Sequence, residues 1–115
     1  MRAARLFAFA SILAVALAGP AWAKTTKLWN LTAYTITSIE LAPAGTGKYG
    51  QDLAKLDPDG SVDHDERIKL GSVADGSYDV RVKDDHGRTC VVKGVAIKDG
   101  DIVAIEEKQL EGCAK

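Results

Sequence analysis

Residues Ser77 to Cys90 read Ser-Tyr-Asp-Val-Arg-Val-Lys-Asp-Asp-His-Gly-Arg-Thr-Cys, and this stretch decides the fold. Tyr78, Val80 and Val82 alternate with Asp79, Arg81 and Lys83. Such alternation lays an apolar row on one face of a strand and a charged row on the other. Asp84-Asp85-His86-Gly87 then supplies turn chemistry, with Gly87 free to take positive φ. Thr89–Val92 resumes β-type sequence, so the stretch predicts a β-hairpin closed by a four-residue loop.

Working back towards the N-terminus, the segments before the hairpin read as shorter strands and turns. Lys27–Thr32 is a first strand and Thr35–Pro43 a second, with Thr37, Ile39 and Leu41 on one face and Ser38 and Glu40 on the other. Ala33-Tyr34 between them makes a tight hairpin or a kinked continuation. Asn30-Leu31-Thr32 has the letters of an N-glycosylation acceptor, and the bacterial style of the leader makes that a chance match. Ala44–Leu56 is a glycine-rich connection in which Gln51–Leu56 can form one helical turn, too short to stand alone. Asp57-Pro58-Asp59-Gly60 is a turn, with Pro58 setting φ at its second position. Val62, His64, Glu66, Ile68 and Leu70 alternate with Asp63, Asp65, Arg67 and Lys69, which predicts a third strand whose polar first half lies at an edge.

Working forward from Cys90, the pattern slips at Gly94: Cys90 and Val92 share one parity, Val95 and Ile97 the other. This is the sequence signature of a β-bulge. Lys98-Asp99-Gly100-Asp101 is another turn, after which Ile102–Ile105 is a buried-type strand expected to fold back antiparallel along Val91–Ile97. Glu106–Glu111 reads as an extension of that strand, with a helix stopped by Gly112 as the other choice. The sum is an all-β fold, a small antiparallel β-sandwich of five to seven strands.

The ends and the composition say where such a domain works. Arg2 and Arg5, the apolar run Leu6–Ala18, the Gly19-Pro20 break and Ala21-Trp22-Ala23 make residues 1–23 a signal-peptide helix cleaved before Lys24. Its 13-residue apolar run is short of the roughly 20 residues that span a bilayer, so no membrane span is expected in the mature form. Residues 24–115 then form a single β-sandwich domain, periplasmic or secreted. Without Arg2 and Arg5, 13 basic residues face 16 acidic ones, a net charge near −3 that argues against a nucleic-acid surface. Cys90 and Cys113 both lie in the mature part, and in an oxidising compartment they read as one intramolecular disulfide.

These residues resemble a group of small exported bacterial β-sandwich proteins of unassigned function. The likeness runs in order through Asn30, Thr32, Thr35 and Ile36, then Leu41 and Pro43, then Tyr49-Gly50-x-Asp52-Leu53 and the Asp59-Gly60 turn. It ends with Tyr78-Asp79-Val80-Arg81 and the Asp84-x-x-Gly87 turn. Ala33 stands where the group has Gly and Tyr49 where it has Trp, and the tail after Cys90 does not follow the pattern. The resemblance implies the sandwich fold and an exported location, and no chemistry.

Chemistry has few places to reside. His64 and His86 are the chain's two histidines. Neither sits in a nucleophile-elbow context, so no enzyme is expected. The run Asp57, Asp59, Asp63, Asp65 and Glu66 is the candidate metal site: hard cations such as calcium take clustered carboxylates and carbonyls. However, Gly60 comes too early for an EF-hand and Pro58 stiffens the loop. No cofactor other than calcium is suggested. Gly45-Thr46-Gly47-Lys48 is a flexible turn and not a phosphate loop. Tyr34 and Tyr49, placed in loops, are the candidate binding residues. The sequence therefore reads as an exported non-enzymatic module that binds or scaffolds an unknown protein or glycan in the bacterial envelope. Two alternatives stay open: a calcium-binding module built on Asp57–Glu66, and a small periplasmic enzyme inhibitor.

Overall fold

A computed structural model describes residues 24–115, and the signal-peptide reading of residues 1–23 lies outside the described residues. Seven strands form two sheets: β1 Thr26–Leu31, β2 Ile36–Pro43, β3 Arg67–Gly71, β4 Gly76–Asp84, β5 Thr89–Ile97, β6 Ile102–Glu106 and β7 Glu111–Ala114. The first sheet has the order β3-β1-β6 and the second β2-β4-β5-β7. Two stacked sheets of this size are the small β-sandwich expected from the alternation.

The central hairpin forms as read. β4 and β5 pair antiparallel with Val82 opposite Cys90 and Lys83 opposite Thr89, and Gly87 takes φ +81° in the turn. The bulge also forms. Tyr78 faces Val95 and Val80 faces Val92, so Asp79 alone opposes Lys93 and Gly94, the latter at φ +66°. The core between the sheets is aliphatic: Leu28, Ile36, Ile39, Val80, Val82 and Ile105 are buried. Asn30, also fully buried, donates to the carbonyls of Tyr34 and Val62 (2.9 Å each) and accepts from the Thr32 N–H and hydroxyl (2.9 and 2.6 Å). Its amide is fully committed to holding the β1–β2 corner.

Several local expectations are corrected. β1 and β2 are not a hairpin, because the chain turns the corner at Thr32–Thr35 and enters the other sheet. On β2 Ile39 and Leu41 share the core face as read, opposite Val82 and Val80, but a register shift between Ile36 and Ser38 puts Ile36 in the core in place of Thr37, and Ala42 is buried on the other face opposite Asp79. The third strand is only Arg67–Gly71. Val62 makes an isolated bridge to Ile36, and the chain then turns through Asp65 at φ +67°. β6 does not fold back along β5. It crosses to the first sheet and runs parallel to β1, pairing Lys27 with Ile102 and Trp29 with Ala104. β7 takes the vacant edge of β5 instead. The crossing buries Val103 and Ile105 and leaves Ile102 exposed, so the apolar run alternates after all. Glu107–Gln109 is a single 3-10 turn between β6 and β7 and not a strand extension, while a second 3-10 turn at Leu53–Leu56 is the helical turn expected there. Among the described residues, no helix is long and apolar enough to cross a membrane.

Candidate functional site

Cys90 and Cys113 form a disulfide, with Cα atoms 4.1 Å apart, that joins β7 to β5. Cys90 is buried beneath the hairpin and Cys113 lies on the exposed edge strand. The bond is structural in position: it fastens the last strand to the sheet.

The most organised polar group in the described chain lies at the loop end of the sandwich that carries the β4–β5 turn. The Asp84-x-x-Gly87-Arg88 sequence bends so that Asp84 Oδ1 accepts the N–H groups of His86 and Arg88 (3.0 Å each), and Arg88 Nε donates to Asp84 Oδ2 (2.7 Å). The other end of the guanidinium reaches the 3-10 turn after β6, donating to Glu107 Oε2 (2.8 Å) and Oε1 (3.3 Å). Glu107 Oε1 also accepts the Ala33 N–H (2.9 Å), and the Asp85 N–H donates to the Thr35 carbonyl (3.0 Å). One cation therefore ties three connections together. Its hydrogen bonds to Glu107 and Asp84 hold the Arg88 pKa above its ordinary value. Glu107 is held below its own, first by Arg88 and then by the Ala33 N–H. Burial pushes Asp84 up, but the bonds from Arg88 and His86 outweigh it and the net shift is downward.

On this support sits an aromatic group. The Tyr34 ring stacks on the His86 imidazole at 3.6 Å between centroids and 18° between planes, and the Arg88 guanidinium lies 4.7 Å from the same ring. His86 Nδ1 donates to Asp85 Oδ1 (2.9 Å). His64 belongs to the same end, its Nδ1 donating to the Thr32 carbonyl (2.7 Å), and Thr35 Oγ1 donates to Asp63 Oδ1 (2.9 Å). The arrangement is a cross-braced tip that carries the stacked Tyr34–His86 pair, with His86 exposed and Tyr34 half-buried. Among the described residues no pocket opens.

The sequence candidates fall in different places. Tyr34 is the centre of this tip. Tyr49 is elsewhere, folded back over the second sheet with the Arg81 guanidinium 4.0 Å from its ring, while Arg81 Nε donates to Glu40 (2.8 Å). Of the carboxylates from Asp57 to Glu66, four serve separate bonds. Asp57 Oδ1 accepts the Asp59 N–H (2.9 Å), Asp63 accepts from Thr35, Asp65 Oδ1 accepts from Trp29 Nε1 (3.1 Å), and Glu66 Oε1 accepts the Asp63 N–H (3.3 Å). Among the described residues, the group whose ligand atoms come within 4.8 Å of one another is Asp84, Asp85 and His86. A cation there would have to displace the Arg88 guanidinium from Asp84. Sequence reasoning missed Arg88 and Glu107. The Asp84-to-Arg88 spacing across a glycine turn was a visible signal for the first pair, whereas Glu107 reaches it only through the crossing of β6.

No family model matches this chain, and no curated protein matches it. A solved NMR structure of the protein from Eubacterium rectale is similar, with a TM-score of 0.47 and 19% identity, over 76% of this chain and 82% of that chain. At that level the likeness carries no argument about function. The likeness to the exported sandwich group remains a resemblance of motifs.

Proposed function

We propose that this protein is an exported, non-enzymatic binding module of the bacterial envelope, which engages a protein or glycan through the loop tip around Tyr34 and His86. The observation that carries the reading is the Arg88 bridge. It immobilises three loops and presents a stacked aromatic pair at their apex, and rigid anchors lose little entropy on binding. Export rests on the leader-like composition of residues 1–23.

The test compares the protein, as its native host exports it, with a Tyr34→Ala/His86→Ala variant as baits for envelope extract. Species retained by the wild type and lost from the variant, with circular dichroism unchanged, are the expected result. Identical captures by the two baits would remove the tip from the reading. Intact mass of the exported protein should start at Lys24, and a form retaining Leu6–Ala18 would overturn export.

A further inference from the structure

The sandwich has four edge strands, and three of them are guarded. On β2, the N–H and C=O of Ile36 exchange bonds with Val62 (2.9 Å each), the Ile39 N–H goes to Asp52 Oδ1 (2.9 Å), and the Leu41 carbonyl takes the Gly50 N–H (3.0 Å). β3 carries Arg67 and Lys69, and the 3-10 turn lies against its end, where Leu56 comes up to Gly71. β7 is four residues long, contains Gly112 at φ +59°, and starts with Glu111. Charge, bulges, covering loops and shortness are the devices that keep an edge from pairing with another chain.

β6 has charge and cover only at its last residue, Glu106. Its sequence, Ile102-Val103-Ala104-Ile105-Glu106, is uncharged until the last residue, and among the described residues its single strand neighbour is β1. The Lys27 N–H donates to the Asp101 carbonyl (2.9 Å). In a parallel ladder that sets Asp101, Val103 and Ile105 towards β1 and turns the N–H and C=O of Ile102, Ala104 and Glu106 to the open side. The Glu106 N–H is taken by Gln109 Oε1 (2.7 Å), which leaves both polar groups of Ile102 and of Ala104 at the edge. Beside them the Ile102 side chain is 53% exposed, continuing an apolar strip from Trp29 and Ala104 across the outer face of the sheet.

We propose that β6 pairs antiparallel with β6 of a second copy of this chain, about a two-fold axis at Val103, to make a continuous six-stranded sheet. This register sets Ile102 opposite Ala104 of the second copy. Each N–H left free at Ile102 and Ala104 then meets a free carbonyl, and the Gln109 cap on Glu106 is undisturbed. A large side chain faces a small one on the outer face, twice over. The register also carries Glu106, which pairs with Lys108 within its own chain (3.7 Å), to the end of the neighbouring strand where the stem of Lys24 packs on Gly100, so a lysine of the second copy lies alongside a glutamate at both ends. The self-match is what favours a second copy over an unrelated extended peptide. It is independent of the loop tip.

The test uses the protein as its host exports it, with the disulfide intact. Light scattering over a dilution series should give twice the chain mass at the concentrated end. The Ile102 and Ala104 amides should gain hydrogen-exchange protection as concentration rises. Ile102→Lys and Ala104→Pro should each leave a monomer, while Glu111→Lys on the guarded β7 edge should leave the dimer intact. Glu106→Lys should weaken the dimer at low salt, and Lys24→Glu in the same chain should restore it. A monomer at every concentration overturns the proposal, whether or not a foreign peptide occupies the edge. So does a dimer in which the Ile102 and Ala104 amides stay unprotected. Should the edge variants fail to fold, amide protection in the wild type still decides.

Discussion

Asp79 shows how one residue can defy the pattern around it. Alternation places it on the outer face with Arg81 and Lys83, yet it is 9% exposed. The bulge brings the Gly94 N–H to its Oδ1 (3.0 Å), and the loop after β2 brings the Gly45 N–H to its Oδ2 (3.0 Å). Those two bonds, Gly45 first, hold its pKa below the usual carboxylate value. Asp84 and Glu107 shift the same way. A carboxylate whose folded pKa lies below its unfolded one stabilises the fold above the unfolded value, about 4, and loses that contribution as pH falls through the folded value. The melting temperature should therefore hold through neutral pH and fall below about pH 4. Asp79→Asn should lower it at neutral pH, because one amide oxygen cannot accept as two carboxylate oxygens do, and should flatten the acid limb. Calorimetry across pH measures both, and an acid limb of equal steepness in the variant would show that the Asp79 contacts do not drive it.

At the scale of elements, β7 is the strand with least of its own to hold it. All four residues are exposed, and its pairing with β5 registers only at Thr89 with Ala114 and Val91 with Glu111. The Cys90–Cys113 bond spans 23 positions in sequence, and closing a loop of that size contributes roughly 3 kcal/mol on the chain-entropy model. Cys113→Ser should cost about that much in urea unfolding. Its β7 amides should exchange freely while those of the β4–β5 hairpin stay protected. Unchanged stability would mean that β7 is fastened by its pairing alone. The exported protein should migrate as a monomer on a denaturing non-reducing gel, since both thiols are consumed within one chain.

For the whole molecule, stability rests on the layer where the two sheets meet. Ile105 from the first sheet and Ile39 from the second are both fully buried there. Removing most of a buried isoleucine side chain costs about 2–5 kcal/mol, so Ile105→Ala should lower stability by roughly 3 kcal/mol. The sheets have one core between them and should unfold together. Trp29 is the sole tryptophan in residues 24–115 and reports on the first sheet, while far-ultraviolet circular dichroism reports on both. Their denaturation curves should superimpose. Separate midpoints would mean that the sheets are not one cooperative unit.

The amino-acid sequence by itself determined the features that depend on near neighbours. Alternation in Tyr78–Lys83 set the central strand, Gly87 the hairpin turn, the parity slip at Gly94 the bulge, and Pro58-Asp59-Gly60 the turn before Val62. Each is a matter of a few residues' side-chain direction or allowed φ. Tertiary structure decided which strands are partners. Nothing in Ile102–Glu106 says that it lies parallel to β1, a strand more than 70 positions away, because an apolar face is satisfied by any edge that reaches the core. In the folded chain β7 holds the edge of β5 and β6 lies on the smaller sheet. That placement brought Glu107 to Arg88 and left the backbone of Ile102 and Ala104 facing outward. Of the candidate site, Tyr34 was legible as a single residue, while His86 read only as a turn residue. Their contact was not, because stacking between a corner and a turn is a product of how the sheets pack.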